Sequence, residues 1–496
     1  MSPWFVLLPL FVLAGGGLIV MLVDAFSKRD AQGRGPELPV LTAALLTIAG
    51  LSSLALWLFG GPAEVPELLD DYLAVDSMAL FFDVVICGGG ALSALLAGGY
   101  LAEHRFERGE FYVLLLFSAF GAMVLARATD LLTLFIGLET MSLGVYCMIA
   151  FRRTSSRAAE AAIKYFLLGS FAAAILLFGS ALLYGATGHT RLAAIGTAVA
   201  GGDAILPVAL MGLVLVLVGL AFKVSAVPFH MWTPDAYEGA PTPATTFMSV
   251  AVKAAAFAVL VRVLAVSFGD ELSASVATGW PPVVAGLAAL SMVVGNAAAV
   301  VQPSVKRMLA YSSIAHAGYA LVAVAAMHAV GQEGVSAVLY YMMAYTVSNV
   351  LAFGSLILMG SYGKEAVTYE DLAGLGRRHP LAALPFVVGV LSLLGLPPTA
   401  GFFGKYYAFN AAVQADMVWL AVLGVLASAV GAYYYLRVIV FLFMREPRAG
   451  APIAVPMRSG YVAAALVVSG YFVMKMGITP GTYLDWAIEA AQQLVS

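Results

Sequence analysis

Two cysteines in 496 residues exclude a disulfide framework: Cys87 and Cys147 are isolated, both lie in apolar runs, and neither belongs to a CxxC or cluster-ligating pattern. Charge is equally scarce. Asp, Glu, Lys and Arg make up 11% of the chain against 62% hydrophobic residues, and mean hydropathy is +0.95, far from the range of a soluble domain. The net charge of -3 is too small to imply nucleic acid or an acidic partner. Every polar interval is short, so no soluble domain is present. Also missing are a GxxxxGK[ST] phosphate loop, a GxGxxG turn after a strand, metal-ligand spacing and a haem motif. The sequence therefore predicts no metal and no cofactor on this chain, and no redox chemistry of its own.

What is there is a succession of apolar runs of about 20 residues, the length that crosses a ~30 Å hydrocarbon core as helix. Barrel strands would instead alternate over about 10 residues. The chain is predicted to be an all-α integral membrane protein. Its opening, MSPWFVLLPLFVLAGGGLIVMLVD, lacks a basic n-region and exceeds a signal h-region, so it reads as a first membrane helix. Fourteen spans are predicted near 3–25, 38–60, 76–99, 111–127, 129–150, 160–186, 205–232, 243–267, 281–302, 307–328, 334–360, 382–414, 417–444 and 458–478. The tail TYLDWAIEAAQQLV places Leu484, Ile488, Ala491 and Val495 on one face. It is too short to span and is predicted to lie in the interface, with Trp486 at headgroup level.

Loop charge orients these spans. Alternate loops hold Lys28, Arg29 and Arg34; Arg105 and Arg108; Arg152, Arg153 and Arg157; Lys306 and Arg307; Lys364, Arg377 and Arg378; and Arg445, Arg448 and Arg458. The intervening loops offer only Arg127 and Arg191. The positive-inside rule makes the first set cytoplasmic and puts both termini on the opposite side. One cytoplasmic loop, MWTPDAYEGAPTP, has no Lys or Arg and carries Asp235 and Glu238 instead.

Two spans read as broken. In GLAFKVSAVPFHMWTPD, Pro228 follows Lys223 by five residues; in LLGLPPTAGFFGKYYAF, Pro397, Pro398, Gly401 and Gly404 interrupt a run too long for one straight helix. Proline removes a helix hydrogen bond and clashes with the preceding turn. Freed backbone groups at that depth need protein or a hydrated cavity beside them. Interrupted helices in corresponding positions point to inverted repeats with a site near the midplane. The seventh and twelfth spans are five apart, which predicts two inverted five-helix units, spans 4–8 and 9–13. The expected organisation is a three-helix segment over 1–100, a first repeat over 111–267, a second over 281–444, and a last span with its tail over 458–496. Two ordinary proline kinks are the plainer alternative.

Five charges interrupt these apolar stretches: Glu139, Lys164, Lys223, Lys253 and Lys405. A charge at bilayer depth costs about 2.5–3.5 kcal/mol even on insertion scales, so each defaults to a functional reading. Several lysines and one carboxylate, with no cofactor motif, suggest a path for protons or cations.

The motifs FIGLETMSLGVYCMIAFRR, EAAIKYFLLGSFAAAILLFGSALLYGATG, GLAFKVSAVPFHMWTPDAYEGAPTP and KRMLAYSSIAHAGYALVA resemble the subunit N family of respiratory complex I, one of the antiporter-like subunit families of NADH–quinone oxidoreductase. The resemblance spans nearly the whole chain. It implies a proton-translocating membrane-arm subunit of a multisubunit translocase, in a bacterial inner (plasma) membrane with periplasmic termini. Protons, the lipid bilayer and other complex I membrane subunits are the implied partners. NADH, FMN, iron–sulfur clusters and quinone are implied on partner subunits. The family's span-five glutamate and span-seven lysine, which form a charge pair, map to Glu139 and Lys223. Its central span-eight lysine maps to Lys253, its span-twelve lysine to Lys405 and its span-six lysine to Lys164. The larger relatives, subunits L and M, usually carry a histidine pair after the PTP turn. This chain reads PTPATTFMSVAVKAAAF there. Lys405 also stands where subunit M has glutamate, and the long lateral helix of subunit L has no counterpart.

Structural readings stand beside these. Lys164 lies about two turns inside its span, where snorkelling or pairing with Glu160 at i,i+4 would satisfy it. His316, in SSIAHAGYA, is a core histidine or a proton relay. Arg262, Arg437 and Lys475 read as interfacial anchors. Tyr311, Ser142, Ser312 and Ser313 orient water or serve helix packing. A self-standing cation/proton antiporter and a purely structural membrane-arm subunit remain open. So does the electron donor, since ferredoxin-driven relatives share this subunit.

Overall fold

Apolar runs of the expected length fold as helices from end to end. The computed structural model describes residues 3–27, 37–60, 66–271, 273–275, 279–360, 365–447 and 455–495. Lys28, Arg29, Arg34, Lys364 and Arg448 lie outside the described residues. Among those described, 13 helices are long and apolar enough to cross a membrane. Two further helices of 15 residues each, α16 (Pro380–Leu394) and α17 (Ala400–Gln414), together make the expected twelfth span.

The chain order begins with α1 (Leu8–Phe26), α2 (Leu38–Phe59), α3 (Ser77–Glu103), α4 (Gly109–Arg127), α5 (Leu131–Ile149) and α6 (Ser156–Thr187). A short helix absent from the sequence reading, α7 (Leu192–Gly201), fills the next loop. The seventh span is α8 (Leu206–Val224), and the short α9 (Thr233–Gly239) follows it outside the spans. The eighth is α10 (Thr242–Phe247) and α11 (Lys253–Arg262), with π-helical turns at Met248–Val252 and Val263–Ser267. Then come α12 (Trp280–Val300), α13 (Val305–Val330) and α14 (Gln332–Met359). The short α15 (Leu375–Arg378) precedes α16 and α17, and α18 (Val418–Phe443), α19 (Gly460–Ile478) and α20 (Pro480–Val495) complete the chain.

Burial separates the spans into classes that hydropathy does not. The eighth span, α3, α13 and α14 are inside the bundle along most of their length, whereas α2, α6, α12, α18 and α19 present wide apolar faces outward. Small residues let neighbouring backbones meet. A side chain at Gly212 would strike the Gly179 carbonyl oxygen at 2.9 Å, which seats α8 against α6.

The two broken spans share one backbone device. Ser225 (φ 67°) and Gly395 (φ 88°) both end their helices in the left-handed region. The following amides return to the helix: Ala226 to the Ala221 carbonyl at 2.8 Å, and Leu396 to that of Leu391 at 3.1 Å. This is the Schellman arrangement. In each case proline stands three residues beyond the left-handed residue, at Pro228 and Pro398, in the linker and not inside a helix. The freed Val227 amide donates to Ser291 Oγ at 2.8 Å, so protein satisfies it. Gly401 and Gly404, expected among the breakers, instead lie within α17. Gly401 is required by proximity, because a Cβ there would meet the Ser392 carbonyl oxygen at 1.9 Å.

Several charges assigned to loops or interfaces are internal. Arg127 is fully buried and pairs with fully buried Asp83 of α3, while its Nη1 donates to the Val6 carbonyl at 3.1 Å. Lys306 is buried as well and donates to the Ala240 carbonyl at 2.7 Å. Arg262, expected as an anchor, is buried and pairs with Asp76 at 2.5 Å. Arg437 is half-buried over the Tyr369 ring, 4.3 Å from its centroid. Only Lys475 of that trio is exposed. Helix α20 is amphipathic as expected, but its inward face, including Tyr483, Ala487, Ala490 and Ala491, packs on α3 and α14. Trp486 is 38% exposed and stacks edge-on against Trp57.

Candidate functional site

Helix phase decides which way the deep charges face. Asp130 caps α5 by accepting from the amides of Leu132 at 2.8 Å and Thr133 at 3.3 Å. That start puts Glu139, Ser142 and Tyr146 on one side, at i, i+3 and i+7. Facing them, Lys223 sits in the last turn of α8, buried just before the break. Its ammonium donates to Ser142 Oγ at 2.8 Å and lies 5.6–5.8 Å from the ring centroids of Tyr165, Tyr146 and Phe222. Lys223 and Glu139 form no ion pair. Glu139 Oε1 is buried without a hydrogen-bond partner. One turn separates the carboxylate from the serine that holds the ammonium.

Lys253 begins α11, directly after the first π turn. Such turns widen a helix locally and recur at functional sites. The lysine is buried and donates to the Ser313 carbonyl at 2.7 Å and to Ser313 Oγ at 2.6 Å. Tyr345 also donates to Ser313 Oγ, at 2.8 Å. Ser304 caps α13 through the Arg307 amide at 3.2 Å, fixing a helix on which Ser313 and His316 share a face. His316 Nδ1 is 2.7 Å from Tyr341 Oη and Nε2 is 3.1 Å from Tyr435 Oη. Tyr435 in turn meets Ser312 Oγ at 2.5 Å.

Lys405 lies in the second turn of α17, beyond its break, whereas Lys223 precedes its own. It reaches back to the Leu394 carbonyl at 2.8 Å and to Ser428 Oγ at 2.8 Å, over the Tyr319 ring at 4.7 Å. Leu394 ends α16, so the ammonium sits at the negative end of that half-helix. A cavity of about 10 Å³, lined by His316, Tyr341, Tyr345, Ser348, Ser392 and Gly404 among others, separates His316 from the second break. That is about the space one water needs.

The structure thus brings Lys253, His316 and Lys405 into one buried polar row, with Glu139 and Lys223 in a neighbouring cluster. Among the described residues, no hydrogen bond joins the two groups. Tyr165, Trp232 and Tyr237 fill the interval, and Tyr237 Oη comes within 3.4 Å of Ser313 Oγ.

Lys164 is elsewhere. Its side chain is 45% exposed and bridges Glu160 at 2.7 Å and Asp235 at 2.8 Å. Arg307 grips the same Asp235 at 2.7 Å and Glu238 at 3.1 Å. Glu160, Asp235, Glu238 and Arg307 line a surface cavity of about 280 Å³ beside α9. Burial alone would raise the Asp235 carboxyl, but hydrogen bonds from Lys164 and Arg307 hold it below the usual carboxylate range.

Sequence reasoning missed the hydroxyl partners, Ser428, Tyr341, Tyr345 and Tyr435, because serine and tyrosine are unremarkable in apolar helices. It also missed Asp83, a single carboxylate in the third span, although a deep charge there is the same signal that revealed Glu139. Among the described residues, no group of three His, Cys, Asp or Glu is placed to hold a metal. Cys87 packs against Met123.

Residues 128–431 match the family model described as NADH:quinone oxidoreductase/Mrp antiporter, transmembrane. NADH-quinone oxidoreductase subunit N 1 of Sorangium cellulosum is 59% identical over 99% of this chain and 99% of that protein. Subunit N of Trichlorobacter lovleyi is 42% identical over 98% of this chain and 96% of its own. A chain in the structure of respiratory complex I from Thermus thermophilus with bound aureothin superposes with a TM-score of 0.78 at 38% identity, over 96% of this chain and 98% of that one. A chain of the Mrp complex from Dietzia shares the fold, with a TM-score of 0.84 at 22% identity over 100% of this chain and 98% of its own. This chain belongs to the antiporter-like transmembrane family of NADH:quinone oxidoreductase and Mrp complexes, within its subunit N branch.

Proposed function

We propose that this chain is a proton-translocating membrane-arm subunit of an NADH–quinone oxidoreductase. Glu139, Lys223, Lys253, His316 and Lys405 carry the proton, and Lys164 belongs to the ion-paired surface around α9. The observation that carries this reading is a set of buried polar groups in which Lys253 bonds Ser313, His316 bonds Tyr341 and Tyr435, and Lys405 bonds the Leu394 carbonyl and Ser428. Its lysines have hydroxyl and carbonyl partners and no carboxylate counter-ion, so they can gain and lose a proton without breaking an ion pair.

The energetics suit such a role. Opposite charges about 4 Å apart attract by roughly 4 kcal/mol at an effective dielectric of 20, and doubling the separation halves that. Moving one proton against the membrane potential costs about 2.3 kcal/mol per 100 mV. A swing of the Lys223 ammonium along α5 between Ser142 and Glu139 changes its interaction energy by that order. Groups this close titrate as a set.

Electrons move elsewhere in the complex. NADH, FMN, iron–sulfur clusters and quinone belong to partner subunits, and no step here passes through them. Both termini face the periplasmic side, and the arginine-rich loops face the cytoplasm. The direct experiment is proton uptake by vesicles containing the assembled complex, during quinone reduction, with Lys253→Ala. Loss of pumping with the complex intact supports the reading, and wild-type pumping contradicts it. Pumping that depends on sodium or potassium would favour a cation/proton antiporter instead.

A further inference from the structure

The ninth span, α12, has no charged residue, yet it carries a buried amide. Asn296 is 2% exposed and reaches two other helices. Its Nδ2 donates to the Met292 carbonyl of its own helix at 2.7 Å and to Tyr319 Oη of α13 at 2.9 Å. Its Oδ1 accepts from Tyr434 Oη of α18 at 2.9 Å. The Met292 carbonyl can only accept, so it fixes which end of the amide faces it and hence which tyrosine the amide donates to. The fit is close. A Cβ at Gly431 of α18 would stand 3.1 Å from Asn296 Oδ1 and 3.3 Å from Tyr434 Oη.

The first tyrosine leads to Lys405. Tyr319 is 1% exposed, and its ring centroid lies 4.7 Å from the Lys405 ammonium. The rings beside Lys223 and Lys253 stand farther off, at 5.4–5.8 Å. A cation is drawn to the face of such a ring and repelled by its edge, so ring orientation sets how firmly the ammonium is held. Ser428, which takes the Lys405 hydrogen bond at 2.8 Å, is also hydrogen-bonded to Tyr319. The same ring stands edge-on to His316 with centroids 5.6 Å apart. The second tyrosine leads back to that histidine. Tyr434 packs on Tyr435 with centroids 4.4 Å apart, and Tyr435 Oη is 3.1 Å from His316 Nε2.

We infer that Asn296 is a positioning residue for proton transfer at Lys405: its amide fixes the Tyr319 ring against the ammonium. This rests on the translocation reading above. Without the amide, Lys405 keeps its carbonyl and its serine but loses a ring held at one orientation. Tyr434 loses the acceptor of its hydroxyl in the same step. A tie between α12, α13 and α18 is the plainer use of a buried asparagine. Such a tie would stabilise the bundle and leave transfer at Lys405 untouched.

The test is quinone-reduction turnover per assembled complex, with Asn296→Leu, Tyr319→Phe and Lys405→Ala measured beside the Asn296→Leu/Tyr319→Phe double variant. Asn296→Leu keeps the branched shape and should lower turnover about fivefold, as displaced groups near a transfer site do. The KM for quinone should not change, since quinone binds on a partner subunit. Tyr319→Phe keeps the ring and removes the hydroxyl that Asn296 holds, so it should lose as much. Because both act through one bond, the double variant should match the single ones within about twofold. Effects that multiply, to about 25-fold in the double variant, would overturn the assignment. So would a lower melting temperature of Asn296→Leu with full turnover per complex, the mark of a helix tie only. Should Asn296→Leu fail to assemble, Tyr319→Phe decides, and wild-type turnover there overturns the assignment. Wild-type turnover of Asn296→Leu beside an impaired Lys405→Ala removes this inference alone; wild-type turnover of Lys405→Ala removes the relay role of that lysine with it.

Discussion

The ammonium of Lys223 donates to Ser142 Oγ at 2.8 Å, one helical turn along α5 from Glu139. The deep lysine is therefore held by a neutral hydroxyl with a carboxylate within a swing of its side chain. Tyr165, Tyr146 and Phe222 surround it, and an aromatic surround stabilises a cation without fixing it at one point. In the second half the same economy recurs: Lys405 is held by a carbonyl, a hydroxyl and a ring.

Lys405→Arg should impair turnover nearly as much as Lys405→Ala. Arginine keeps the charge but cannot release a proton, its pKa exceeding about 12. The measurement is quinone-reduction rate in assembled complex. Near wild-type activity for the arginine variant would mean that Lys405 is a fixed structural cation.

Replacing Pro228, Pro397 and Pro398 together by alanine should let α8 and α16 extend into their linkers, since a proline within the extended helix would cost about 3 kcal/mol. Water access at Lys223 and Lys405, read by hydrogen exchange or by a cysteine probe nearby, should fall along with turnover. Unchanged access and turnover would make the breaks passive.

Arg127→Ala leaves Asp83 buried without its cation, and breaking a buried pair in this way costs about 3–5 kcal/mol. Reduced thermal stability and poor assembly are expected, because the pair joins α3 and α4 while Ser53 of α2 donates to the same carboxylate at 2.9 Å. A fully stable Arg127→Ala complex would show the pair to be dispensable.

Asp235 supplies a pH prediction. Its folded pKa lies below the ordinary 3.8. The stability it contributes is complete above that value and is lost only as pH falls through the lower folded pKa. The clamp on α9 should thus be constant from neutral pH down to about pH 5. Asp235→Asn should weaken it equally across that interval. A wild-type transition near pH 6 that Asp235→Asn removes would contradict this assignment.

Legibility followed the contrast between a residue and its surroundings. Glu139, Lys223, Lys253 and Lys405 stood out because a charge in an apolar run has few explanations. The breaks at Pro228 and Pro398 stood out because proline acts on its own backbone. Periodicity found Glu160 as a partner of Lys164, but Asp235, 71 residues away, is invisible to it. Arg127, Arg262 and Lys306 were misplaced because they stand at the ends of runs, where a sequence gives position along the chain and not depth within the bundle. The π turn before Lys253 has no compositional signature. Phase alone does not reveal that Ser142, and not Glu139, receives the Lys223 hydrogen bond.

The most direct test of the central claim is the proton-to-electron ratio of assembled complex carrying Lys223→Ala, measured in vesicles alongside its quinone-reduction rate. Buried lysines that carry the proton predict a fall in turnover of about tenfold or more, on the scale of losing a positioned acid–base group, with Glu139→Ala less severe. Wild-type turnover and an unchanged ratio in the assembled Lys223→Ala enzyme would contradict the account.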